Sequence, residues 1–406
     1  MNTIKSVDIL IPQECDFQKW SVVACDQFTS QRDYWKNLEE FVGDAPSTLN
    51  LIFPEVYLED DDADTRIAKI NETMKEYLDG GVFKTLKDSV VLTKRSTAEG
   101  VYRLGLVCAV DLEDYCFTHP SNALIRSTEG VVPERIPPRL KIRQDALVEL
   151  PHIMLLIDDR QKSVIEPLFE SREQFDLLYD FDLNMGGGHL TGYRVPSALV
   201  LDKFDEYEKS VQTLYGGQKN DFIFAVGDGN HSLATAQAHW NNVKQGLSEE
   251  EKENHPARYA LCEIENLHDD GIKFEPIHRF VFGAGEDFEE FMQSKLSGEA
   301  RVKTFGRNRE GVLNVPANSA QAIRDVQNAI DAYLKENTAC SVDYIHGEDH
   351  LLGLLKTHDG VAILMPKIEK NDLFAYVLKN GTLCRKAFSM GEAEEKRYYF
   401  ESKRIR

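Results

Sequence analysis

The sequence predicts an α/β protein of mixed α+β character, built as more than one domain, and three observations predict it. Short apolar runs such as Ile153-Met154-Leu155-Leu156-Ile157 and Phe222-Ile223-Phe224-Ala225-Val226 read as buried strands. Segments with apolar residues at helical spacing alternate with them, as at Leu233, Ala236, Trp240 and Val243. The 406 residues exceed what one ordinary hydrophobic core accommodates. Changes of character along the chain set the expected domains at 1–114, 115–285 and 286–406, the middle one holding the central sheet and the last a smaller α/β unit.

The N-terminal region opens with the strand-like Val7-Asp8-Ile9-Leu10-Ile11, followed by Trp20-Ser21-Val22-Val23-Ala24-Cys25. Thr29 or Ser30 is the expected N-cap of a helix beginning near Arg32. Ile67, Ile70, Met74 and Leu78 share one helical face, and Gly80-Gly81 stops that helix. Residues 88–94 and 100–112 read as strands joined by a turn around Glu99-Gly100. In the middle third, residues 126–143 carry three prolines and read as a loop. Gly186-Gly187-Gly188-His189 is a turn leading to Tyr193-Arg194-Val195, and residues 246–251 are a solvated acidic loop before the strand Ala260–Ile264. In the last third, Ile323, Val326, Ile330 and Tyr333 mark one helix. Strands are expected at Val342–Ile345 and Val361–Met365, with helices at about 348–356 and 370–379, the latter stopped by Asn380-Gly381.

Composition narrows the function classes. The formal charge of −21 repels nucleic-acid backbone and anionic membrane, which argues against both as partners while leaving a small anion open. No apolar run reaches the roughly 20 residues that cross a bilayer, and the start lacks a signal-peptide core, so the cytoplasm is the expected location. Seven scattered cysteines, none in Cys-x-x-Cys spacing, read as small buried hydrophobes.

Four segments carry candidate chemistry. The first is Gly227-Asp228-Gly229-Asn230-His231-Ser232, between a buried strand and a helix. A helix start exposes unpaired amides and a positive dipole end, and glycines let a ligand approach the backbone. Asp228 is a candidate Mg²⁺ ligand, because magnesium sites use one or two carboxylates plus phosphate oxygens. His231 titrates near neutrality and suits phosphate binding or proton transfer. The spacing is neither a Walker A loop nor a Rossmann fingerprint, and no Gly-x-Ser-x-Gly surrounds Ser232, so a nucleophile is not expected there. A simple capping turn, with Asp228 or Asn230 as cap, is the bland alternative.

The second segment is 126–143, where Arg126, Arg135, Arg139, Lys141 and Arg143 outnumber Glu129 and Glu134 in an otherwise acidic chain. Arginine forks suit phosphate or carboxylate, and Glu129 beside them suits a base or metal ligand; an internal salt-bridge network explains the same residues equally well. The third is the glycine-rich turn ending at His189, which reads as a ligand-covering loop or as a plain mobile turn. The fourth is Glu275-Pro276-Ile277-His278-Arg279, where His278 and Arg279 line a pocket or serve structure alone. The spacing of His189, His231 and His278 does not suggest a metal site.

These segments together resemble a bacterial and archaeal family catalogued as domain of unknown function 1015. The resemblance runs nearly end to end, through Trp20–Phe28, Arg126–Gly130, Arg135–Leu140, Glu149–His152, Leu178–Asp182, Gly227–Ser232, Glu275–Arg279 and Met390–Tyr399. A looser likeness links the turn, which many members write Asp-Gly-His-His-Arg, to the ParB/sulfiredoxin superfamily of free-serine kinases, sulfiredoxins and CTP-binding partition proteins. That likeness implies a ParB/sulfiredoxin-like central mixed sheet and a turn that touches nucleotide phosphates. Asp228, Gly229 and His231 match. An upstream glutamate is the base in the kinases, which makes Glu129 the candidate here. The chain departs at Asn230 and at Ser232, where the superfamily has arginine, so Arg126 or Arg139 would have to replace that guanidinium.

The expectation is therefore a Mg²⁺-dependent enzyme acting on a nucleotide such as ATP or CTP, or on another small phosphorylated ligand, as phosphotransferase or hydrolase. Asp228, His231 and Glu129 would be catalytic, with Asp228 holding the metal. Gly227, Gly229, Asn230, Ser232, Arg126, Arg135, Arg139, His189, His278 and Arg279 would bind the ligand. The alternatives are a regulator that senses a nucleotide or metabolite without turning it over, and a scaffold whose turn is covered by its own side chains. The sequence leaves a homo-oligomer open.

Overall fold

The computed structural model describes residues 3–97, 100–214 and 222–406, with side chains described outside 212–221. The expected turn at Glu99 lies outside the described residues. The fold is mixed α/β, as expected, and it divides into two compact units. One comprises the chain through Ile272 together with Glu392–Arg406; the other is Lys273–Gly391.

The first unit is organised by a mixed sheet of eleven strands among the described residues. Its main order is Tyr115–Cys116, Ile125–Ser127, Phe224–Asp228, Met154–Ile157, Tyr259–Asn266, Tyr102–Asp111, Phe83–Ser96, His189–Pro196 and Asp176–Asp182. The central strands are buried on both faces, which is why Met154–Ile157 reads as an unbroken apolar run, while Tyr259–Asn266 also buries Glu263 and Glu265. Leu155, Ile157, Phe224, Val226 and Ile264 pack with Leu233, Ala236 and Trp240 of the Asn230–Val243 helix in one core. The expected boundary at 114/115 falls inside this unit, because Tyr102–Asp111 and Tyr259–Asn266 pair along seven registered positions of one sheet. The expected boundary at 285/286 gives way to one at 272/273, just before the long strand Phe274–Phe282 that starts the second sheet.

The last residues of the chain belong to this first unit. Ala24 N donates to Arg397 O at 3.0 Å and Tyr399 N to Val22 O at 2.9 Å, so the returning segment lies against Trp20–Cys25. Buried charges hold it there. Arg397 pairs with Glu401 and with Glu263, the latter at 3.3 Å, while Arg95 and Arg103 donate to the carbonyls of Glu394 and Glu395 at 2.9 and 2.7 Å. Removing one member of such a network strands a buried charge, so these residues fix the path of the segment that carries Lys396 and Tyr399.

The second unit has a six-stranded sheet, among the described residues, ordered Arg309–Val315, Ala300–Gly306, Gly360–Ile363, Phe274–Phe282 and Ser341–His346, with Phe388–Met390 pairing the start of Phe274–Phe282. Ile323, Val326, Ile330 and Tyr333 form the buried face of the helix Ser319–Glu336, as their spacing predicts.

Local expectations differ in four places. Residues 126–143 are not a continuous loop: Pro137 and Pro138 open the helix Ile136–Arg143, where a missing proline N–H costs nothing because first-turn amides have no intrahelical acceptor. The acidic 246–251 stretch contains the start of the helix Glu249–Asn254, capped by Ser248 and Glu251 in a reciprocal box. The helix expected near Arg32 is preceded by Gln31, not by a Thr29 or Ser30 cap. The strand expected at 222–226 runs Phe224–Asp228, so Gly227 and Asp228 are strand residues.

Candidate functional site

Three strand ends meet at one edge of the large sheet. Phe224–Asp228 runs parallel to Ile125–Ser127, so the chain leaves both strands at the same end, into Gly229 and Thr128. Met154–Ile157 runs antiparallel to Phe224–Asp228 with Met154 opposite Asp228, so His152 and Ile153 arrive at that end as well. Open α/β sheets place their ligands outside the carboxyl ends of their strands, and the two parallel strands end together here. The helix Asn230–Val243 starts there. Its N-cap is Gly229 at φ +82°, with no side-chain cap, so neither Asp228 nor Asn230 plays the capping role that the bland reading gave them. A side chain at Gly229 would also meet Ile153 Cα at 3.0 Å. Both facts require glycine at this position.

Asp228 accepts the Gly229 amide on Oδ1 at 2.9 Å, and Lys396 Nζ lies 3.3 Å from Oδ2. Burial pushes this carboxyl up, but the Lys396 ammonium and the nearby His152 outweigh it and hold it below the usual carboxylate range. The loop after Ile125–Ser127 is tied to the turn at two points. Thr128 Oγ1 donates to Val226 O at 2.6 Å, and Val132 N donates to His231 Nε2 at 3.1 Å. Glu129 lies between these ties in the chain and is half-buried. Because Nε2 accepts, the ring proton of neutral His231 belongs on Nδ1. Asn230 Oδ1 is buried and makes no hydrogen bond among the described residues. The turn is partly open: Gly227, Asp228, Asn230, His231 and Ser232 are half-buried and Gly229 is buried.

Ser232, on the first turn of the helix, faces His152: its Oγ is 2.6 Å from Nε2. Nδ1 of the same ring is 2.9 Å from the Tyr399 hydroxyl, and Asp26 Oδ2 lies 3.7 Å from Nε2. A cavity of about 150 Å³ opens beside these side chains. His152, Tyr399, Lys396 and Asp26 had no assigned role in the sequence reading. They come from segments far apart in the chain, and only their place within the family motifs singled them out.

The basic segment is largely spent on the protein's own acids. Arg139 pairs with Glu55 and also donates to Arg135 O at 2.9 Å, Lys141 pairs with Asp64, and Arg143 pairs with Glu149. Arg126 is buried, donates from Nε to Ala123 O at 2.9 Å, and stacks its guanidinium on Phe222 at 5.0 Å. Arg135 is exposed. The expected anion clamp is thereby corrected for Arg126 and Arg139, whose guanidinia are engaged by a neighbouring ring and a neighbouring carboxylate. His189 is corrected too. It lies five strand spacings from Phe224–Asp228, about 24 Å along the sheet, and pairs with Asp180 and Asp182 at 2.6 and 2.7 Å. His278 and Arg279 belong to the second unit. Met365 N donates to His278 Nδ1 at 3.1 Å. Arg279 is fully buried, bonded to Gln327, Ile277 O and Lys386 O, and stacked on Tyr344 at 4.6 Å.

The residues at the turn do not make a protein-held magnesium site. Both Asp228 oxygens have partners, one of them the Lys396 ammonium, and no group of three His, Cys, Asp or Glu side chains among the described residues is arranged to hold a metal.

Comparison with solved structures finds remote likenesses. A free serine kinase in complex with AMP shares 9% identity at a TM-score of 0.40, over 74% of this chain and 92% of the kinase. A conserved hypothetical protein from Pyrococcus furiosus shares 9% at a TM-score of 0.35, over 74% and 95%. SbnI with a C-terminal truncation, from Staphylococcus aureus, shares 12% at a TM-score of 0.38, over 70% and 82%. No curated protein sequence matches the chain significantly. No helix among the described residues is long and apolar enough to cross a membrane. One family model spans most of the length, residues 10–382, and on that match the chain belongs to the family described as protein of unknown function (DUF1015).

Proposed function

We propose that the start of the Asn230–Val243 helix binds a small phosphorylated ligand, a nucleotide such as ATP or CTP being the first class to test, and that the protein transfers or hydrolyses its terminal phosphoryl group. One observation carries this reading: a helix start, the Lys396 ammonium and the Glu129 loop converge at the carboxyl end of two parallel strands. The first-turn amides have no acceptor one turn back and carry the positive end of the helix dipole, so they suit phosphate oxygens. Lys396 supplies positive charge at Asp228. His231 donates from Nδ1 toward the transferring charge, and Glu129 is the base that takes a proton from the acceptor.

The test is turnover of ATP, CTP and GTP by the wild type and by Asp228→Ala, His231→Ala and Glu129→Gln, each compared by circular dichroism for folding. Loss of roughly 10²–10⁴-fold in the Glu129 variant is expected for a general base. Equal turnover in all four proteins rejects the reading. A non-catalytic sensor is the second reading, favoured by the full engagement of Asp228 with Gly229 and Lys396. Thermal stabilisation by nucleotide with no product formed selects it.

A further inference from the structure

The hydrogen bonds around His152 define a direction. The Tyr399 oxygen accepts the Cys25 amide at 3.2 Å, and its hydroxyl faces Cys25 Sγ at 3.3 Å. With its proton given to the sulfur, Tyr399 receives Nδ1–H of His152. The Nε2 lone pair then points at Ser232 Oγ, 2.6 Å away, which donates to it. A hydroxyl, a base within hydrogen-bond reach and a third group that orients the base form the general arrangement of an activated nucleophile. The Asp26 carboxylate, 3.7 Å from Nε2, is placed to stabilise the imidazolium once Nε2 is protonated.

The space in front of these groups indicates what would react. Ser232, His152 and Tyr399 line the cavity of about 150 Å³, whose remaining wall is mostly apolar, with Leu51, Phe53, Met74 and Ile142 among its members. The charged groups on its wall are paired with each other, Arg139 with Glu55 and Arg143 with Glu149. Such a wall offers a charged substrate no unpaired counter-ion and favours a neutral, apolar one. Cavities of this volume hold a group about the size of benzene.

We propose that Ser232 is the nucleophile of a second activity, hydrolysis of neutral carboxylic esters with a compact apolar acyl group, separate from the phosphate reading above. Ser232 Oγ forms a bond to the carbonyl carbon while its proton passes to His152 Nε2. The bond from that carbon to the alcohol oxygen breaks, and the leaving alcohol takes the proton from Nε2. Water, deprotonated by Nε2, then attacks the acyl-serine, releasing the acid and restoring Ser232. Tyr399 is a positioning residue that fixes the imidazole tautomer.

Two measurements on the full chain test this. One is release of nitrophenol from p-nitrophenyl acetate, butyrate, hexanoate and decanoate. The other is intact-mass and peptide mapping after a fluorophosphonate probe. A single adduct on Ser232 is expected, with the highest kcat/KM at butyrate or hexanoate. Ser232→Ala and His152→Gln should lower hydrolysis by roughly 10²–10⁴-fold, and Ser232→Cys should still be acylated. Tyr399→Phe should lower kcat with KM unchanged, and Ala146→Leu, which narrows the cavity, should move the preference toward acetate. Absence of a Ser232 adduct, or hydrolysis by Ser232→Ala equal to wild type, overturns the proposal. Nucleotide turnover is assayed separately on the same proteins, so failure here leaves the phosphate reading standing, and the reverse.

Discussion

Two short motifs, Gly227–Ser232 and Glu275–Arg279, follow the same pattern in the sequence, a strand-like stretch leading to a histidine and polar neighbours. Their fates differ. The first lies where a strand ends, so its residues leave the sheet into a helix start beside loops from elsewhere in the first unit. The second lies wholly inside the strand Phe274–Phe282, where alternation commits each side chain to one face and hydrogen bonds consume its polar groups. A polar residue at a strand end is available for chemistry, and one in mid-strand serves the core.

Substitutions sharpen this contrast. The largest effect on stability is expected in mid-strand: Arg279→Ala strips partners from Gln327 and from the carbonyls of Ile277 and Lys386, and should cost about 3 kcal/mol by urea denaturation, in line with buried charged hydrogen bonds. A loss under about 1 kcal/mol would break the comparison. Next is Gly229→Ala, at a positive φ with Ile153 3.0 Å from the added Cβ, for which about 1–3 kcal/mol is expected together with weakened nucleotide binding by calorimetry. An alanine variant of unchanged stability would show that the turn relaxes.

Two smaller effects depend on pH, with opposite signs. The Asp228 carboxyl is depressed by Lys396 and His152 despite its burial. Its contribution to stability is present above the ordinary carboxylate pKa of about 4 and is lost as pH falls through its lower folded value. The gap between wild type and Asp228→Asn in urea midpoint should therefore close on acidification. For His189, burial lowers the pKa but Asp182 and Asp180 raise it further, leaving it above the ordinary value. Its contribution is present below about pH 6.5 and is lost as pH rises through the folded value. The gap between wild type and His189→Ala should be a few tenths of a kcal/mol at pH 5.5 and absent at pH 9, because the pair is exposed. Ligand binding at the turn should not change in His189→Ala; a change would put His189 back in the site.

The fold class was legible because buried strands and amphipathic helices write themselves as apolar runs and helical periodicity. Leu155, Val226 and Ile330 could be recognised as core residues from their neighbours alone, and the helix start after Val226 followed from two glycines and a run of polar side chains. The short helix Ile136–Arg143 was hidden by its prolines, which break a helix interior but are tolerated in a first turn. The arginines of 126–143 could not be sorted from sequence, since a guanidinium that clamps a ligand and one that pairs with Glu55 have the same local context.

By itself, then, the sequence determined the longer strands and helices, the turn and the glycine it needs, because these depend on backbone preference and local periodicity. Only the tertiary structure decided that Val132 of the Glu129 loop binds His231, that Lys396 meets Asp228, and that His152 stands between Ser232 and Tyr399. Those meetings depend on strand order, on strand direction and on a C-terminal segment held by buried ion pairs, and sequence spacing carries no trace of any of them.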